Sequence, residues 1–444
     1  MRDVNSIARA SLVTLALALS GCGPKAAPGQ GAPARAAASA EAGAAGRAGE
    51  AAATAGPSYA GEVAALDDSL ARVRERAAGA PKDWLVRERV AGLHLERARL
   101  VGSYDDYAAA EAALAEAFAI APAGAGPFMT RARLDFALHR NDRVDADLDA
   151  AEKAAVIDAR ERAAIVGLRA DLDLQRGRYH AAGEGFVRAA ELRRDPTAIA
   201  RLAQHAWRGG GFDEADRLYA EALAAEVPPS TRAWLHLMRG LLDLDRGRLE
   251  DALRHYREGE AALPGWWLLD EHIAEAEHRL GRVDEARALY EDIVARTENP
   301  EFMDALASIA RERGEREAAA AWSARARARH VALLERFPEA AAGHALEHFL
   351  ESGDDPARAL ALAEANHRQR PNPESARLLA EAQAAAGDLA AARRTIEDAL
   401  VTPWRSADLF RSAAAIRREG GDAAGAAEAL AQARAIDPTT PAEL

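Results

Sequence analysis

The decapeptide GGFDEADRLY, residues 210–219, places an apolar side chain two residues after a glycine, an alanine five after it and an aromatic ring nine after it. The same spacing returns in RGRYHAAGEGF (176–186), RGRLEDALRHY (246–256) and LGRVDEARALY (280–290). Gly177, Gly210, Gly247 and Gly281 therefore recur at intervals of 33, 37 and 34. The pattern continues at Gly314 and Gly387, in variant form at Gly353 and Gly421, and in weaker copies at DDYAAAEAAL (105–114) and NDRVDADLDA (141–150). Self-similarity at such a period marks supersecondary units that bury their apolar faces only against their neighbours. Each position has a physical task. Glycine ends a first helix because the tight turn needs positive φ, alanine lets a second helix approach closely, and the aromatic ring supplies burial between neighbours. The expected fold is all-α.

This spacing resembles the tetratricopeptide repeat, an antiparallel helix pair of about 34 residues. The small position of the second helix is held by Ala110, Ala146, Ala182, Ala215, Ala252, Ala286, Ala319, Ala359, Ala392 and Ala426. Phe186, Tyr219, Tyr256 and Tyr290 hold the large position in the middle repeats, with Leu114, Ile396 and Leu430 outside them. The closing proline of the family is matched by Pro122, Pro264, Pro371 and Pro438. The resemblance covers residues 84–444 and implies a right-handed superhelical solenoid of about ten repeats. Departures are the mostly missing tryptophan of the first helix and the small residues Ser323 and Ala363 at the large position. The interval of 40 from Ala319 to Ala359 predicts longer helices and a bend there. In this family ligands dock in the concave groove lined by first helices. By this register the lining includes Trp207, Arg208, Trp234, Leu237, Glu271, His278 and Arg279. Tryptophan and arginine are enriched among binding hot spots, although tryptophans at these positions also suit the filling of gaps between helices.

The chain opens with Arg2, Arg9 and an apolar run from Ala10 to Leu19. That run has the length of a signal-peptide core and is too short to span a bilayer as a helix. Leu19-Ser20-Gly21-Cys22 resembles the lipobox of bacterial lipoproteins, which implies cleavage after residue 21 and lipidation of Cys22, the single cysteine. No disulfide can then form, so stability rests on packing. Gly23, in place of the aspartate that signals inner-membrane retention, favours by resemblance the outer membrane, facing the periplasm. Residues 22–61 are Ala, Gly and Pro with few large apolar groups, which predicts a flexible tether. Val63, Leu66, Leu70 and Val73 predict a lead-in helix within 62–83. The net charge is −13, and removal of Arg2, Arg9 and Asp3 makes it −14; an acidic chain is not drawn to nucleic acid.

Three patterns suggest chemistry. HALEH (344–348) matches H-x-x-E-H, in which two histidines bind zinc and the glutamate is a general base, giving a zinc hydrolase on His344, Glu347 and His348 as one alternative. A third ligand and a catalytic pocket are missing from the pattern. DADLD (145–149) begins like a calcium loop, but Ala150 and Val156 stand where glycine and glutamate belong. On a helix Asp145 and Asp149 share a face while Asp147 points away. ARARARH (324–330) spreads its arginines around a helix. No phosphate-binding glycine loop, nucleophile elbow or paired-cysteine metal site occurs, so no enzyme, resident metal or cofactor is expected. The expected function is a membrane-tethered scaffold or assembly factor binding an envelope protein or peptide. The other alternative is a periplasm-facing receptor for a small molecule or glycan.

Overall fold

The computed structural model describes residues 57–153, 157–352 and 354–443, and within them every regular element is an α-helix. A lead-in helix, α1 (Tyr59–Gly79), precedes ten hairpins. These are α2 (Trp84–Val101) with α3 (Tyr104–Ile120), α4 (Phe128–Ala137) with α5 (Asn141–Glu152), α6 (Ala159–Gln175) with α7 (Tyr179–Leu192), α8 (Pro196–Arg208) with α9 (Phe212–Leu223), and α10 (Pro229–Asp245) with α11 (Leu249–Ala262). They continue with α12 (Trp267–Arg279) and α13 (Val283–Thr297), α14 (Pro300–Glu312) and α15 (Arg316–Arg336), α16 (Pro338–Glu351) and α17 (Pro356–Gln369), α18 (Pro373–Ala385) and α19 (Leu389–Leu400), and α20 (Ala407–Glu419) and α21 (Ala423–Ile436). Each helix packs on its hairpin partner and on the next hairpin, so the chain is a solenoid of ten tetratricopeptide-like units.

Local chemistry sets the helix ends. Ser58 caps α1 by accepting from the Gly61 N–H at 3.2 Å, which starts that helix at Tyr59, earlier than the apolar spacing alone suggests. Asp195, Asn299 and Asn372 cap α8, α14 and α18, and each is followed by proline at the first helical position, where no N–H donor is needed. Among the described residues, the turn inside every hairpin carries one residue at positive φ. It is glycine in eight of them: Gly102, Gly177, Gly210, Gly247, Gly281, Gly314, Gly387 and Gly421. The residue after it returns a backbone hydrogen bond into the last turn of the first helix, as from Arg178 N to Asp173 O at 2.8 Å. In the second hairpin His139 takes this role at φ 57°, and in the eighth Asp354 takes it at φ 45°. Gly353 lies outside the described residues.

The small and large positions are where packing is tightest. Ala110, Ala182, Ala215, Ala252, Ala286, Ala359 and Ala392 have no exposed surface, and the rings of Phe186, Tyr219, Tyr256 and Tyr290 are fully enclosed. Ala146 is the exception. It is exposed, and Val144 and Leu148 fill the small and large positions of that hairpin. The correction follows from the turn: counted from His139 instead of a glycine, the fifth residue is Val144 and the ninth is Leu148. The interval of 40 is absorbed by α15, whose 21 residues exceed the 12 to 17 of the other second helices.

The solenoid coils tightly enough to meet itself. Backbone Tyr59 N donates to Pro264 O at 3.1 Å, and the indoles of Trp266 and Trp267 both donate to Leu100 O at 3.1 Å. Arg336 reaches Asp105 at 2.7 Å, and Tyr104 packs on Phe337 with ring centres 5.1 Å apart. Asn141 donates to Gln369 O at 3.0 Å, Asn372 to Gln175 O at 3.2 Å, and Arg405 N to Arg208 O at 2.8 Å. The turns of hairpins one to five thus seat against the junctions between hairpins five and ten and against the segment after α21. Apolar cores cross the seam as well: Leu174, Tyr179 and Phe186 share one cluster with Ile396, Trp404 and Leu409. First helices form the inner layer and second helices the outer. In the middle of the coil the inner helix α12 is covered on all sides, and every residue from Trp267 to Glu277 is buried.

Candidate functional site

The inner layer is where the sequence register places a binding groove, and the coil has closed over it. Trp207, Trp234, Leu237 and Glu271 are buried, with Leu237 at 2 % exposure and Glu271 at 0 %. The Trp207 indole donates to Asp245 Oδ2 at 2.9 Å. The Arg208 guanidinium lies 4.4 Å from the Trp207 ring centre and 4.7 Å from that of Trp404, so it is clasped across the seam. His278 pairs with Glu312 at 2.9 Å, and Arg279 stands 3.9 Å from Asp437. Where an open groove was expected, Trp207, Arg208, His278 and Arg279 instead contact neighbouring hairpins, and Trp234, Leu237 and Glu271 are enclosed among the helices. Cys22 lies outside the described residues.

The interior they surround is polar. Glu271, His272 and Glu275 of α12 are all buried, and their ligand-type atoms lie within 4.8 Å of one another. His272 Nε2 is 3.1 Å from Glu271 Oε2 without hydrogen-bond alignment, and both Glu271 oxygens are buried without a hydrogen-bond partner. Burial, then the neighbouring Glu275 and Glu301 carboxylates, raises the Glu271 pKa well above the usual carboxylate range. Burial likewise raises Tyr256 and Tyr290, whose hydroxyls find no partner. Further along, burial, with Glu351, Glu301 and Glu374, raises Glu347 against the opposing pull of Arg377.

The HALEH residues do not converge on one point. His344 Nδ1 faces Glu301 at 2.7 Å, whereas His348 Nδ1 bonds Asp304 Oδ1 at 2.7 Å. Asp304 takes a second imidazole through Oδ2, from His330 Nε2 at 2.9 Å. Burial tends to raise Asp304, but the two histidine hydrogen bonds outweigh it and hold its pKa below the usual value. The cluster containing His348 is therefore Asp304–His330–His348, drawn from three helices; the sequence spacing could not reveal it, because 26 and 18 residues separate its members. A third cluster, His236–His255–Glu258, joins α10 to α11.

The acidic stretch reads as the spacing suggested. Arg169 binds Asp149 at 3.0 Å and approaches Asp145 at 3.9 Å, while Asp147 is buried on the opposite side against Arg131. In ARARARH, Arg327 and Arg329 point outward to Asp355 and Glu298, at 3.6 and 3.5 Å, and Ala326 and His330 point inward.

No protein-family model matches the sequence, and no curated protein matches it. Among solved structures, the APC/C hetero-tetramer Cut9–Hcn1 is similar over 85 % of this chain and 71 % of that one, at 14 % identity and a TM-score of 0.45. A structure from the functional characterization of Pseudomonas aeruginosa pilF covers 48 % of this chain and 90 % of that one, at 15 % identity and TM-score 0.36. A tetratricopeptide repeat protein from Parabacteroides merdae ATCC 43184 covers 61 % and 91 %, at 16 % identity and TM-score 0.32. These are similarities of helical-repeat architecture.

Proposed function

We propose that this chain is a protein-binding scaffold or assembly factor of the bacterial envelope, held at the outer membrane by a lipid on Cys22 with its folded body in the periplasm. The observation that carries the reading is the self-contacting coil. It buries its inner layer and leaves an outer layer of charged helices, a preorganised body with broad contact surface. Rigid, repeated surfaces of this kind suit binding because little ordering entropy is lost on association. The basic and apolar start followed by Cys22 supports the anchor, and the Ala-, Gly- and Pro-rich composition of residues 22–61 supports the tether read from the sequence. Leu85, at 57 % exposure, and Val401, at 86 %, are accessible positions on the body for probing such contacts.

The test has two arms. A photo-crosslinking residue in place of Val401 or Leu85 should give a defined adduct with an envelope protein, and one in place of buried Leu237 should not; absence of adducts at both exposed positions rejects the scaffold. Cys22→Ser should move the protein from the membrane to the soluble fraction. An unmodified thiol in the mass of the native protein rejects the anchor alone.

A further inference from the structure

We propose that His236, His255 and Glu258 form a binding site for one first-row divalent cation, zinc by the chemistry of the donors, reached from solvent at Glu258. The three ligands come from the two helices of a single hairpin. His255 and Glu258 are three apart on α11 and share a face, and α10 brings His236 against them. Glu258 Oε2 stands 3.1 Å from His236 Nδ1 and 2.9 Å from His255 Nδ1, and the donor atoms of all three residues lie within 4.8 Å of one another. A tetrahedral zinc ion with bonds of about 2.0–2.2 Å holds its donors roughly 3.3–3.5 Å apart, so small side-chain rotations suffice. Two imidazoles and one carboxylate form the three-ligand set that leaves a fourth position open.

The site is open to solvent on its Glu258 side. Glu258 also stands in a shallow, open surface depression with Glu250, Leu253, Arg254, Arg257 and Ala261 of the same helix. His255 is buried while Glu258 is exposed, so an ion can reach the donors from solvent. His236 Nδ1 is itself buried and has no aligned hydrogen-bond partner. Behind the site, Asp243 Oδ2 lies 3.6 Å from His255 Nε2, the place of a carboxylate that orients a ligating imidazole. Arg254 competes, at 3.4 Å from both His255 Nε2 and Glu258 Oε1; it is half exposed and has Asp251 at 3.2 Å as another partner, so it can turn away.

The other two clusters are poorer sites. Both oxygens of Asp304 already accept an imidazole, which completes that network without an ion. Glu271, His272 and Glu275 are sealed from solvent.

Zinc and cobalt(II) binding to the full chain, purified in detergent without a polyhistidine tag, tests the proposal by elemental analysis, calorimetry and the visible absorption of bound cobalt. Wild type should hold one equivalent, and Glu258→Gln and His236→Gln should each weaken binding by more than about tenfold. Asp304→Asn and His344→Ala should bind as wild type. Circular dichroism melts show that each variant is folded, and Glu258, being exposed, tolerates its change. The proposal fails if wild type binds no cation, if either Glu258→Gln or His236→Gln leaves the affinity unchanged, or if Asp304→Asn abolishes binding.

Discussion

Gly240 lacks a side chain because Tyr256 fills its place: an added Cβ would stand 2.2 Å from the ring. Gly240→Ala should therefore cost about 1–3 kcal/mol in denaturant unfolding, the usual penalty for overpacking. The Tyr256 hydroxyl has no partner and is buried, so Tyr256→Phe removes an unpaired polar group and should leave stability unchanged or raise it by up to about 1 kcal/mol in the same assay. Glu271 gives a pH prediction. It faces His272 and Glu275 on its own helix, Glu301 from α14, Tyr256 from α11 and Tyr290 from α13. With its pKa raised in the folded state, the fold binds this proton more tightly than the unfolded chain does. Its stabilising contribution is complete below the unfolded value and is lost as pH rises through the raised one. Thermal melts should show wild-type Tm falling toward alkaline pH, and a flatter profile for Glu271→Gln; parallel profiles would contradict the assignment.

At the scale of elements, the turn chemistry explains both what the spacing reveals and where it misleads. Glycine at positive φ marks eight of the ten hairpin turns, and with the variant copy at Gly353 the small position of nine second helices is in register from the sequence alone. In the second hairpin the left-handed residue is His139, which carries no glycine signal, and the count slips from Val144 to Ala146. His139 is kept in that conformation by tertiary contact, since Arg370 Nη1 approaches its Nε2 at 3.0 Å across the seam. Glu298 ends α13 at φ 50° with no such support beyond Arg329 at 3.5 Å. Glu298→Gly should stabilise the protein by up to about 1 kcal/mol, because an L-residue is strained there and glycine is not; a lower Tm for that variant would refute the argument. The long α15 was legible too, as an excess in the repeat interval.

The whole molecule differs from a simple stack, in which each repeat touches only its neighbours and stability is nearly a sum of local terms. Here Trp267 on α12 donates to Leu100 at the end of α2, and Gly102 beside it leaves room for the same indole. Trp267→Ala should cost about 3–5 kcal/mol. Hydrogen exchange should show lost protection in α2 as well as in α12, although 167 residues separate the bonded pair. Loss confined to hairpins five to seven would mean that the coils are not energetically coupled. The sequence by itself determined the helix pairs, most turn positions and most of the enclosed alanines and rings, because each depends on residues within one hairpin. Only the tertiary structure decided that Trp207, Trp234, Leu237 and Glu271 would be interior, and that His348 would meet Asp304 and His330. Those outcomes depend on small rotations between successive hairpins that accumulate until one coil touches the next, a quantity no local spacing of residues records.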